Sequence, residues 1–88
     1  MVTIREGSVV KSIAGRDKER YYVVVSPANG YVFIADGKVR KLEHPKKKNI
    51  RHVWPTEGVI PLGPETTNRQ IRTILSGYND GTSICHED

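Results

Sequence analysis

One cysteine, one methionine, one phenylalanine and one tryptophan occur among 88 residues. The single cysteine, Cys85, has no partner for an internal disulfide. A chain this short without a bridge fits a reducing compartment, so the expected location is the cytoplasm. The longest apolar run, Tyr21 to Val25, falls far short of the ~20 residues a membrane-spanning helix needs. The opening residues, Met1-Val2-Thr3-Ile4-Arg5-Glu6, lack a basic segment followed by an apolar stretch, so no signal peptide is readable. Hydrophobic residues make up only 36%. That supports one small domain with a thin core and excludes a deep enclosed pocket.

Catalytic signatures are missing as well. There is no Gly-x-Ser-x-Gly elbow, no phosphate-cradling Walker loop and no His-Glu-x-x-His. Cys85 and His86 are adjacent, but neighbours on a terminal segment do not hold nucleophile–base geometry. Structural zinc wants ligand pairs at two separated places, and His44 and His52 supply no clean second pair. The sequence therefore predicts no enzyme, no cofactor, no metal and no small-molecule substrate.

What the chain does have is positive charge, unevenly placed. Residues 1–53 carry 12 of the 14 Lys and Arg against five acids, a local charge of +7. Residues 54–88 carry Arg69 and Arg72 against five acids, a local charge of −3. A basic body invites a polyanion, although a solvated, solubilising surface has the same composition. Two clusters stand out. Arg16, Lys18 and Arg20 flank Asp17 and Glu19 in one polar segment. Arg40, Lys41, Lys46, Lys47, Lys48 and Arg51 form a second cluster, opposed only by Glu43. Three consecutive lysines repel one another unless they are exposed or neutralised by a polyanion. Tyr22, Tyr31, Phe33 and Trp54 are candidates to stack on an unpaired base where exposed, and core packing where not.

The segments between these clusters read as β structure. Ser8 to Ile13 alternates loosely, and Tyr21 to Val25 is aromatic and β-branched, as suits a pleated surface. Asn29-Gly30 is a hairpin signal before a strand at Tyr31 to Ala35. Asp36-Gly37 is a second one, followed by alternation from Lys38 to Leu42. Pro45 ends that strand, Lys46 to Asn49 reads as an exposed basic tip, and Ile50 to Val53 as a short closing strand. About five short strands without intervening helices predict an all-β fold, a small antiparallel barrel. Pro55, Pro61 and Pro64, with Gly58 and Gly63, read as a linker over 55–66. Thr67 or Asn68 is placed to cap a helix over 67–79, with Ile71, Ile74, Leu75 and Tyr78 on one apolar stripe. Asn79-Asp80-Gly81 is the expected stop, with a flexible tail over 80–88.

Gly7 to Val25, centred on Gly15, resembles a KOW motif, about 27 residues of alternating apolar and polar positions around a glycine. The continuation through Val32 to Leu42 and Pro45-Lys46-Lys47-Lys48-Asn49 is similar to small bacterial KOW-domain proteins, which are related to archaeal and eukaryotic large-subunit ribosomal proteins. The resemblance covers residues 5–54. It implies an SH3-like barrel of about five strands that binds RNA or the ribosome through loops. Carried onto this chain, Gly15, Arg16, Asp17 and Lys18 form the motif loop, and Lys46, Lys47, Lys48 and Asn49 a second basic loop. Glu19 departs from the pattern, where relatives commonly have glycine. The expected interface is Gly15, Arg16, Lys18, Arg20, Arg40, Lys41, Lys46, Lys47, Lys48, Asn49 and Arg51, meeting structured ribosomal RNA through its phosphates. The alternative is a protein-interaction adaptor of the translation or transcription machinery, using the barrel edge and the C-terminal helix.

Overall fold

The structure, a computed structural model, describes residues 4–16 and 18–86, with side chains through Asn79. Five antiparallel strands form one sheet: β1 (Ser8–Ser12), β2 (Tyr21–Ala28), β3 (Tyr31–Ala35), β4 (Lys46–Asn49) and β5 (Val53–Val59). A helix, α1 (Asn68–His86), follows. The spatial order is β4-β3-β2-β1-β5. Among the described residues no ladder joins β4 to β5, so the sheet is open rather than a closed barrel.

Both faces of the sheet are apolar, which explains the unbroken apolar runs in β2 and β3. Val10, Tyr22, Val24, Val32, Ile34 and Val53 pack together on one face. Val9, Val23 and Ala35 leave the other face and meet Ile60, Ile71 and Leu75, so α1 covers this side. Each fully buried Val, Ile or Leu contributes about 1.5–3 kcal/mol relative to exposure. Asn29 and Gly30 turn β2 into β3, with the left-handed backbone taken by Gly30 (φ +83°).

Three elements differ from expectation. Lys38 to Leu42 is not a strand, because the Asp36 side chain takes its backbone donors. One Asp36 carboxylate oxygen accepts from the Lys38 and Arg40 amides at 2.9 Å each. The Arg40 carbonyl in turn accepts from the Asp36 and Gly37 amides at 2.8 and 3.0 Å. A side chain that offers the backbone such local bonds competes directly with a ladder. The fourth strand is instead the lysine run, paired with β3 from Tyr31↔Asn49 to Ile34↔Lys46. Ile50–His52 is a 3₁₀ turn rather than a strand, and β5 starts at Val53 and runs to Val59.

Residues 55–66 are therefore not a free linker. Pro55 is accommodated because β5 is an edge strand, where a missing amide breaks no second ladder. Beyond it, Ile60 is buried and Leu62 packs against the core under α1. The helix begins with a capping box: the Gln70 amide donates to Thr67 Oγ1 at 3.2 Å, and the Thr67 amide donates to Gln70 Oε1 at 3.0 Å. Its backbone continues past the expected stop at Asn79-Asp80-Gly81 as far as His86. Ile71 and Leu75 are buried as expected, whereas Ile74 is 43% exposed. No described helix is long and apolar enough to cross a membrane.

Candidate functional site

The polar segment after β1 is a tight excursion between paired strands. The Glu19 amide donates to the Ser12 carbonyl at 2.6 Å, and the Ser12 amide donates to the Arg20 carbonyl at 2.8 Å. These bonds close its base and force left-handed backbone at Gly15 (φ +88°) and Glu19 (φ +72°). A left-handed conformation that suits glycine is thus adopted here by a glutamate. Arg16, Lys18 and Arg20 are exposed around the turn; Asp17 lies outside the described residues.

Strand alternation divides the lysine run. Lys46 and Lys48 pair opposite Ile34 and Val32, so they leave the sheet on the face of the Val10–Val53 core. Lys47 pairs with Phe33 and leaves on the opposite face, its ammonium 4.3 Å from the centre of the Tyr31 ring. Lys48 is only 8% exposed, and its ammonium donates to the Ala14 carbonyl at 2.8 Å. It braces the Gly15 turn from beneath and is not a surface cation. Asn49 accepts from the Arg51 amide at 2.8 Å and caps the 3₁₀ turn. The expected second basic loop is therefore a strand whose four residues do four different things.

Charge does converge nearby. A shallow depression of about 430 Å³ is lined by Arg16, Arg20, Lys38, Arg40 and Lys46, with Tyr22, Val39 and Asp36. Five cations thus surround one carboxylate, and that carboxylate is already bonded to two backbone amides. A smaller depression of about 140 Å³ continues from it, sharing Arg20, Asp36 and Lys38 and adding Arg72 and Asn79 from α1. The helix reaches this position because Gly37 (φ +78°) lies against its first turn, where an added Cβ would collide with the Asn68 carbonyl and sit 3.0 Å from the Arg72 nitrogen.

Of the expected interface residues, Arg16, Arg20, Arg40 and Lys46 come together here. Gly15 and Lys18 belong to the adjoining turn, where the Lys18 amide donates to the Gly15 carbonyl at 3.2 Å. Lys41 and Arg51 are exposed but do not line the depression, and Lys47 stands on the other face. Sequence reasoning missed Lys38 and Arg72. The Asp36-Gly37 pair was the available signal for Lys38, since it marks a turn that brings its neighbours back on themselves. Arg72 carried no local signal, because a helix distant in the chain delivers it.

An apolar depression of about 430 Å³ lies elsewhere, between Ile60, Pro61 and the exposed side of α1 at Ile74. Among the described residues no three His, Cys, Asp or Glu side chains gather as metal ligands; Cys85 and His86 lie beyond the described side chains. No protein-family model matches the chain, and no curated protein matches it.

Proposed function

We propose that this chain is a non-enzymatic RNA-binding module of the KOW type, an SH3-like sheet that grips phosphates in its basic depression. The observation that carries the reading is the gathering of Arg16, Arg20, Lys38, Arg40 and Lys46 around one shallow concavity. Folded proteins separate like charges unless something opposite lies between them, because clustering raises self-repulsion. Among the described residues Asp36 is the one acid lining it, and its charge is tied to the turn. The depression is too open to enclose a small substrate and is suited to a backbone of phosphates. Arginines fork onto phosphate oxygens, while lysines act as point charges that tolerate many positions. Such contacts give affinity with little reading of sequence, as expected for structured RNA such as rRNA recognised by shape. The five-strand order, with a 3₁₀ turn linking β4 to β5, supports the SH3-like assignment.

The adaptor reading has one observation in its favour, the apolar depression beside Ile74. Removing residues 55–88 would not separate the two readings, since β5, Ile60, Ile71 and Leu75 are part of the fold. Surface substitutions separate them. Arg20→Glu with Lys46→Glu should weaken retention of a structured rRNA fragment at least about tenfold. Lys47→Glu with Arg69→Glu makes the same change in net charge away from the depression and should cost less than about threefold. Equal losses in the two variants would mean diffuse attraction, and the assignment of the site would fail. Ile74→Glu should leave RNA retention intact; if it instead removes a protein partner while RNA binding is absent throughout, the adaptor reading stands.

A further inference from the structure

The face of the sheet that α1 partly covers carries a second feature, a row of aromatic and basic side chains running toward an open edge. Lys11 on β1 pairs directly with Tyr21 on β2 and with Trp54 on β5. Directly opposed residues of antiparallel strands share a face, so these three side chains stand side by side. Two strand spacings of ~4.8 Å place Trp54 about 10 Å from Tyr21. The Lys11 ammonium leans over the Tyr21 ring, 5.9 Å from its centre. At the far end Tyr78 of α1 lies 5.4 Å from Tyr21, the two rings tilted by 41°. Tyr21 and Tyr78 are thus fixed by packing, and Tyr21 is further held by its amide, which donates to Asn79 Oδ1 at 2.9 Å.

Trp54 is different. It is 65% exposed, although it is the largest apolar side chain in the protein and the α1-covered core lies on the same face. The fold gains little from it. Its neighbour Pro55 removes an amide from the β5 edge, which disfavours docking of an additional strand there. What remains is a flat ring beside a lysine, on a face that begins next to Arg20 and Asn79 at the rim of the basic depressions. That combination of an exposed ring and an adjacent cation matches the chemistry of a single-stranded nucleic acid, in which a base stacks while its phosphate meets the charge.

Resting on the RNA-binding reading, we infer that Trp54 is a stacking site for an unpaired base, with Lys11 meeting the flanking phosphate. The ligand is then an RNA with a single-stranded nucleotide beside the segment gripped in the depression, not an uninterrupted duplex. The stack is tolerant of base identity, because every base presents a π face.

Trp54 is the chain's one tryptophan, so its fluorescence reports this site alone. The full chain is titrated with an oligouridylate of about ten nucleotides and with an RNA duplex of matching length. The oligouridylate should quench the emission and the duplex should leave it unchanged. Trp54→Ala should lower affinity for the oligouridylate by about fivefold or more without changing affinity for the duplex, and Trp54→Phe should restore most of the loss. An exposed edge position makes Trp54→Ala compatible with folding, which circular dichroism verifies. If the oligouridylate binds without quenching, or binds Trp54→Ala as it binds the parent, the stacking site is wrong while the phosphate site survives. If neither RNA binds the parent chain, both readings fall.

Discussion

Glu19 holds a left-handed backbone (φ +72°) that disfavours side chains by about 1–2 kcal/mol. Glycine there would relieve that strain at a cost of about 0.5–1 kcal/mol in the greater freedom of the unfolded chain. Glu19→Gly should therefore stabilise the protein by about 0.5 kcal/mol, a rise in melting temperature of about 3 °C. An unchanged or lowered melting temperature would show that the strain is absorbed elsewhere. Lys48 is the complementary case. Its sequence context, the middle of a basic run, promises a surface charge. Its register opposite Val32 instead sends it inward to the Ala14 carbonyl. Composition gives charge; only pairing tells which side of a strand the charge occupies.

At the scale of elements, β1, β2 and β3 were legible because their residues are β-branched or aromatic and bounded by clear turns. Lys38 to Leu42 misled because alternation of apolar and basic residues mimics a strand when the competing Asp36 carboxylate is left out. The true fourth strand was hidden by charge, and all of β5 beyond Val53 by Pro55 and Gly58, which read as breakers unless the strand is known to lie at an edge. Thr67 was visible as one of two candidate caps, whereas its reciprocal bonding with Gln70 was not read from the sequence. The clasp made by the first residue of the helix was not visible either. Asn68 Oδ1 accepts from the Leu42 amide at 2.7 Å, while Asn68 Nδ2 donates to the Glu43 carboxylate at 2.9 and 3.2 Å. The bond from Asn68, helped by a backbone bond, holds the Glu43 carboxyl below its ordinary pKa. A lowered folded-state pKa means that this contribution is complete above the ordinary carboxylate range and disappears as pH falls through the lower folded value. The melting temperatures of the parent and Glu43→Gln should accordingly differ most near neutrality and converge on acidification. A gap that stays constant with pH would place the effect outside this carboxylate.

Across the whole molecule, four of the six cations that line the two adjoining depressions were readable from clusters of charge along the chain. Lys38 and Arg72 were not, because the turn at Gly37 and the docking of α1 create their proximity. Among the described residues six cations face Asp36 across the two depressions, which suggests about five neutralised phosphates. The logarithm of RNA affinity should then fall with the logarithm of salt at a slope of roughly −3.5 on a single strand. A response near zero would exclude phosphate contacts as the source of affinity.

The sheet's two apolar faces have a consequence for how the chain can be divided. A fragment ending at Trp54 would bare Val9, Val23 and Ala35 to water, and it would lose the side chain that completes the smaller depression. The acidic second half is thus no appendage to a basic domain. It is a wall of the same building, and the roles of the two halves are separable one side chain at a time but never by cutting.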